Sequence, residues 1–248
     1  MAGPALLQKV AAGRSVEVVV PVYNEEPILR SQLESALKDL PGGFGILVVE
    51  NGSDDGTAEI LREMADRWPR NLRVLSLPEP NYGRAMMEGI LGSGAEVLIT
   101  DDLDVLDRDF WARGLEDLSP KGPDLIQGSK VLAGKSDRRP LSRRIATLVL
   151  TFFLRTLLGY RGTDTHGPKV FWRGKLAPVV ESCRMELDIF PTELVVRAQR
   201  RGLEILEIPI RLRELRPTPL PLYRRVPRAL RDLFRLAILL HRDRRSNR

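Results

Sequence analysis

Four short runs rich in β-branched residues, VEVVV (16–20), FGILVVE (44–50), LRVLSL (72–77) and EVLIT (96–100), constrain this chain more than any other feature. Segments with a helical spacing of apolar residues lie between them. In PILRSQLESALKDL (27–40), Ile28, Leu29, Leu33, Ala36, Leu37 and Leu40 fall on one face, and Pro27 suits a first helical turn. Segments 57–67 and 84–92 read the same way. Such alternation predicts an α/β fold with a mostly parallel central sheet flanked by helices. No internal repeat or low-complexity linker interrupts it, and 248 residues with 43% hydrophobic content suffice for one sizeable core.

Composition removes several kinds of chemistry. Cys183 is the single cysteine, so no internal disulfide and no cysteine-rich zinc site can form. With only His166 and His241 as imidazole ligands, any metal is expected to be a hard ion held by oxygen. The first residues lack the apolar core of a signal peptide, and no stretch reaches about 18 consecutive apolar residues, which predicts a cytoplasmic chain that does not span a membrane. The net charge of +6 is uneven: residues 211–248 hold twelve arginines against Glu214, Asp232 and Asp243, a local +9 that leaves about −3 for the rest.

Open parallel sheets bind ligands at the carboxyl ends of their strands. There this chain places PVYNEE (21–26), ENGSDDGT (50–57), NYGRA (81–85) and a run of aspartates, Asp101, Asp102, Asp104 and Asp107. Each alone reads as turn chemistry or a helix cap. Crowded carboxylates raise one another's pKa unless a cation sits among them, and a divalent metal is the usual remedy. A dinucleotide site would need G-x-G-x-x-G after the first strand and a P-loop G-x-x-x-x-G-K-[ST]; neither is present.

Taken together, these motifs resemble the inverting family-2 glycosyltransferases of the GT-A fold. PVYNEE is similar to their first-strand signature, VVENGSDDGT to V-D-D-G-S-x-D-G-T, NYGRA to N-x-G-K-G/A, and Asp102-Leu103-Asp104 to their D-x-D. GSK (128–130), DTHGPKVF (164–171) and ELVVRAQRRGLEILEIPI (193–210) extend the likeness over about 16–210, and the later elements resemble dolichyl-phosphate mannose synthases and related polyprenyl-phosphate glycosyltransferases. The resemblance implies a catalytic domain over 1–213, with 214–248 as an Arg-rich amphipathic tail. It implies that Pro21, Tyr23, Glu25, Glu50, Asn51 and Arg84 bind the nucleotide sugar, GDP-mannose or UDP-glucose with a lean to the former. Asp102 and Asp104 would flank the diphosphate and ligate Mg²⁺ or Mn²⁺. Glu50-Asn51 stands where many relatives have Asp-Asp, and Leu106 where some have a further metal ligand, which leaves a thinner metal shell or one using Asp107. Arg213 and Arg216 are the candidates for an arginine that relatives carry beyond this point.

On the acceptor side, RRIATLVLTFFLRTLLG (143–159) would, as a helix, align Arg143, Thr147, Thr151 and Arg155 in one polar stripe. The resemblance implies that Arg143, Thr147 and Lys130 contact a lipid phosphate and that Asp164 positions the acceptor, with a base role as its alternative; His166 is expected to be a loop residue. In VPRALRDLFRLAILLHR, Val226, Leu230, Leu233, Ala237 and Leu240 form an apolar face, with Arg228, Arg231, Arg235 and Arg242 as a basic stripe. This fits either an interfacial helix on an anionic membrane or a helix docked on the protein. Few aromatics and no RNA or DNA motif argue against a nucleic-acid partner. The expected function is metal-dependent, inverting transfer of a hexose to a polyprenyl phosphate at the cytoplasmic membrane face. Its rivals are a hydroxyl acceptor and a catalytically silent nucleotide-sugar-binding protein.

Overall fold

A computed structural model of the chain describes residues 2–136, 141–210 and 222–246. The elements run α1 (Pro4–Ala11), β1 (Val16–Val22), α2 (Glu26–Leu37), β2 (Phe44–Asn51), α3 (Thr57–Arg67), β3 (Leu72–Leu77), α4 (Tyr82–Gly92), β4 (Val97–Thr100) and α5 (Arg108–Asp117). They continue with β5 (Leu125–Ser129), α6 (Leu141–Leu158), β6 (Lys169–Trp172), α7 (Arg173–Val180), α8 (Phe190–Arg200), β7 (Ile205–Pro209) and α9 (Leu222–Ser246). The four expected strands and the three expected helices form within a few residues of their predicted bounds.

The seven strands make one sheet in the order β3-β2-β1-β4-β6-β5-β7, parallel except for β6, which is antiparallel to both β4 and β5. Register sets Val18 of β1 between Ile46 of β2 and Ile99 of β4. All of β1 is buried, as a central parallel strand covered on both faces requires. Alternate residues supply two cores: Val18 and Val20 join Leu29, Leu33, Phe110 and Trp111 on one face, while Val19 joins Val49, Ile90 and Leu194 on the other. Strand order reverses around β1, whose neighbours are β2 and β4, so the carboxyl ends of these strands open a crevice there.

The apolar face of α9 docks on the protein. Leu233, Leu236 and Leu240 are buried in one cluster with Leu154, Leu158 and Leu194. Arg197 of α8 ties the helix down, donating to Asp243 Oδ2 at 2.8 Å and to Glu193 Oε1 at 2.6 Å. Beside it runs α6, with Phe153 and Phe234 ring centroids 6.4 Å apart. Among the described residues, no helix is long and apolar enough to cross a membrane.

Candidate functional site

Six of the expected strand-end residues meet at one cleft of about 920 Å³. Pro21, Tyr23 and Glu25 follow β1, Asn51 ends β2, Asn81 and Tyr82 open α4, and Asp102 and Asp104 follow β4. The facing wall combines residues 184–189 with one side of α9.

The four crowded aspartates divide into two architectural and two cleft-facing residues. Asp101 is buried and accepts hydrogen bonds from Trp111 Nε1 at 2.7 Å and from the backbone N–H groups of Asp102 and Asp107 at 2.9 and 3.0 Å. Burial nonetheless pushes its carboxyl up to about 8. Asp107 caps α5, its Oδ1 accepting from Asp109 N and Phe110 N, and it is not part of the cleft wall. Asp102 and Asp104 do line it. Burial raises the Asp102 pKa, the Lys130 charge opposes the rise, and Asp104 adds to it. Tyr82 donates its hydroxyl to Asp102 Oδ1 at 3.2 Å, and burial together with Asp102 holds the phenol well above its ordinary pKa, so it stays protonated.

Asn81 links the two walls. Its backbone N–H donates to Asn51 Oδ1 at 2.7 Å, its Oδ1 accepts from Arg84 N and Leu187 N, and its Nδ2 donates to Glu186 Oε2 at 2.5 Å. One asparagine thereby caps α4 and fixes the 184–189 wall. Glu193 secures the same wall from behind: wholly buried, it accepts from the backbone N–H groups of Arg184 and Met185 at 3.0 and 2.6 Å.

A second cluster adjoins Asp102. Asp164 accepts from Lys130 N at 3.1 Å and His166 N at 2.9 Å. Burial works to raise its pKa, but the Lys130 charge and these N–H groups outweigh it, and the net shift is downward, leaving a carboxylate. Both His166 ring nitrogens are engaged, with Thr165 Oγ1 and the Asp188 carbonyl, and burial lowers its pKa, so it is a neutral loop pin as expected. Lys169 is buried beneath, donating to the carbonyls of Thr165 and Gly167 at 3.0 and 2.8 Å. Glu207 of β7 orders the Asp164 loop, accepting from Thr163 N at 2.7 Å, Asp164 N at 3.1 Å and the Tyr160 hydroxyl at 3.2 Å. Two residues of the α6 polar stripe pack on this loop: Thr151 Oγ1 lies within hydrogen-bond distance of the carbonyls of Thr147 and Thr163, and Arg155 Nε donates to that of Gly162.

Some expected residues stand elsewhere. Glu50 is buried behind the wall, accepting from Ser53 N at 2.6 Å. Arg84 is outside the wall, exposed and 3.9 Å from Glu88. Thr147 is half-buried. The side chain of Arg143 lies outside the described residues, as do Arg213 and Arg216. Sequence reasoning assigned no role to Asn81, Glu193 or Glu207. A signal existed for Glu207, which interrupts the otherwise apolar strand β7.

The family model for glycosyl transferase family 2 matches residues 17–173. An uncharacterized glycosyltransferase of Mycobacterium tuberculosis is 30% identical over 201 residues, 80% of this chain and 85% of that one. The dolichyl-phosphate beta-glucosyltransferase of Dictyostelium discoideum is 27% identical over 239 residues, 89% of this chain and 73% of that one. Glucosyl-3-phosphoglycerate synthase from M. tuberculosis, solved with UDP, superposes with a TM-score of 0.63 at 20% identity, covering 96% of this chain and 85% of that one; the same synthase has also been solved with Mn²⁺, UDP-glucose and phosphoglyceric acid. The sheet order, the strand-end cleft and these likenesses converge, and the chain belongs to glycosyl transferase family 2, with the GT-A fold.

Proposed function

We propose that this chain transfers a hexose from a nucleotide sugar to a polyprenyl phosphate, with inversion, while resting on the cytoplasmic membrane face. The polarity of α6 carries the acceptor reading. Thr151 and Arg155 of its polar stripe bond to the Asp164 loop, while Ile145, Leu148, Val149 and Phe152, one helical face, are 37% to 61% exposed. Phe234 and Ile238 of α9 extend this apolar surface. An exposed apolar face on α6 suits a lipid boundary, and the exposed Arg155 beside it suits anionic headgroups.

On the donor side, Pro21, Tyr23, Glu25 and Asn51 take the nucleoside, with Glu50 supporting the turn behind them and Arg84 as an outlying contact. The names of the relatives favour glucose over the mannose suggested by the motifs, so UDP-glucose is the first donor to test and GDP-mannose the second. Asp102 and Asp104 fit a hard divalent ion, Mg²⁺ or Mn²⁺. They are oxygen donors two residues apart, and burial, with repulsion from Asp104 adding to it, already raises the pKa of Asp102. No group of three or more His, Cys, Asp or Glu suited to a metal occurs among the described residues, so diphosphate oxygens and water would complete the shell. Bound there, the ion would neutralise charge on the leaving nucleoside diphosphate.

A phosphate monoester has its second pKa near ~6 and is largely a dianion at neutral pH, so it needs orientation more than a general base. Lys130, Arg143 and Thr147 hold its oxygens, and Asp164 fixes Lys130 through the bond to its backbone N–H. An acceptor oxygen attacks the anomeric carbon as its bond to the nucleoside diphosphate breaks on the opposite side, inverting the centre. The test is transfer of radiolabelled glucose from UDP-glucose, or mannose from GDP-mannose, to a polyprenyl phosphate in vesicles, with 3-phosphoglycerate and a free hexose as rival acceptors. Transfer to either rival in preference to the lipid would overturn the acceptor assignment, and no transfer from either donor would overturn the donor one.

A further inference from the structure

The arginine stripe of α9, which as sequence suits anionic lipid, turns instead toward the cleft. Arg228, Arg231 and Arg235, spaced three and four apart, share one helix face, and all three line the same cleft as Asp102 and Asp104. The buried leucines of α9 occupy another face, and Phe234 and Ile238 a third.

Charge makes this placement consequential. Among the described residues the cleft wall carries six carboxylates, Glu25, Asp102, Asp104, Glu186, Asp188 and Asp232, against four arginines. Counted over these described residues, the excess of two negative charges equals one divalent cation. Three of the four arginines come from α9; without them the same described residues and one divalent cation would sum to three negative charges, which oppose a doubly anionic diphosphate. The fourth, Arg184, is 3.3 Å from Asp243 and already partnered. Asp232 lies 3.3 Å from Arg231 Nε and 3.8 Å from Arg235 Nη1, holding two of the three guanidinium groups toward one another before any ligand arrives.

We infer that Arg228, Arg231 and Arg235 bind the diphosphate of the nucleotide donor, making α9 a part of the donor site rather than a membrane anchor. The inference rests on the nucleotide-sugar reading above. Guanidinium groups match phosphate oxygens geometrically and stay charged at every accessible pH, so they supplement a metal held by only two protein carboxylates. Hexose transfer then depends on α9 being seated, because the helix brings its arginines to the cleft only while Leu233, Leu236 and Leu240 are buried.

Calorimetry on the full chain tests this with UDP, GDP, uridine, guanosine and citronellyl phosphate, each with Mn²⁺ and each in EDTA. The R228Q/R231Q/R235Q variant should bind UDP or GDP at least about tenfold more weakly than the wild type, with a shallower salt dependence. Nucleoside and citronellyl phosphate binding should be unchanged. In EDTA the nucleotide affinity remaining in the wild type should vanish in the variant. The R228K/R231K/R235K variant should recover part of the affinity by restoring charge. These side chains are exposed, so the melting temperature without ligand should move little and will report any misfolding. Equal nucleotide affinity in the wild type and the Gln variant would overturn the assignment, as would loss confined to citronellyl phosphate, which would move the arginines to the acceptor. If the wild type binds neither UDP nor GDP, the donor reading itself fails, and the α9 assignment with it.

Discussion

The backbone of Leu187 closes on Gly83: a Cβ at position 83 would lie 2.7 Å from Leu187 N and 2.8 Å from its carbonyl oxygen. Leu187 itself sits at φ 59°, a left-handed conformation unfavourable for its side chain, held there by its N–H bond to Asn81. The glycine of NYGRA is therefore a spacing requirement for the cleft wall. Gly83→Ala should cost about 1–3 kcal/mol by overpacking and displace residues 184–189. Urea unfolding and UDP titration should show both losses; an alanine variant with wild-type stability and affinity would mean the wall moves freely.

Asp104→Asn should abolish transfer and remove the metal-dependent part of nucleotide binding while leaving the fold intact, because the carboxylates repel one another when no cation lies between them. Paired titrations of UDP with Mn²⁺ and with EDTA measure that part directly. Full activity of the variant, or of the wild type in excess EDTA, would remove the metal from the mechanism.

Lys169 supplies a pH signature. Burial lowers its pKa from 10.5 to about 8, against the opposing pull of Asp164 and Asp102. Between pH ~8 and ~10.4 the unfolded chain holds a proton that the folded chain has released, so stability gains up to about 1.4 kcal/mol per pH unit from this group. Below that window both states are protonated and the group adds no slope. In Lys169→Met this gain should disappear, so the wild type should gain relative to the variant from pH 8 to 10 in urea titrations. A constant difference across that range would place the pKa elsewhere.

Burial drives the Cys183 thiol well above its ordinary pKa. The native protein should therefore resist iodoacetamide at pH 8, and unfolding in urea should release one reactive thiol. Rapid labelling of the native chain, read by mass spectrometry, would contradict the packing of α7 on α8.

Two sets of apolar residues on the α6–α9 pair should separate experimentally. Leu236→Ala, in the buried face, should cost about 2–5 kcal/mol in lipid-free buffer. Phe152→Ser with Leu148→Ser, on the exposed face, should leave stability nearly unchanged but reduce co-sedimentation with anionic vesicles. Vesicle binding that survives the serine pair would place the membrane contact elsewhere.

Periodicity alone determined the α/β class, the four parallel strands and the edge on which the polar motifs gather, because alternation and helical spacing are local properties of the chain. The strands β5, β6 and β7 were not legible. β6 is a four-residue strand, antiparallel to its neighbours, and only pairing across the sheet gives it an identity. The aspartate run announced a site, and the D-x-D likeness singled out Asp102 and Asp104, but what Asp101 and Asp107 do was not legible, since burial against Trp111 and capping of α5 are tertiary facts. For the tail, spacing fixed an amphipathic helix with an arginine face but not what either face meets. Tertiary structure decided that: the leucines docked on the core, and that docking turned the arginines toward the cleft.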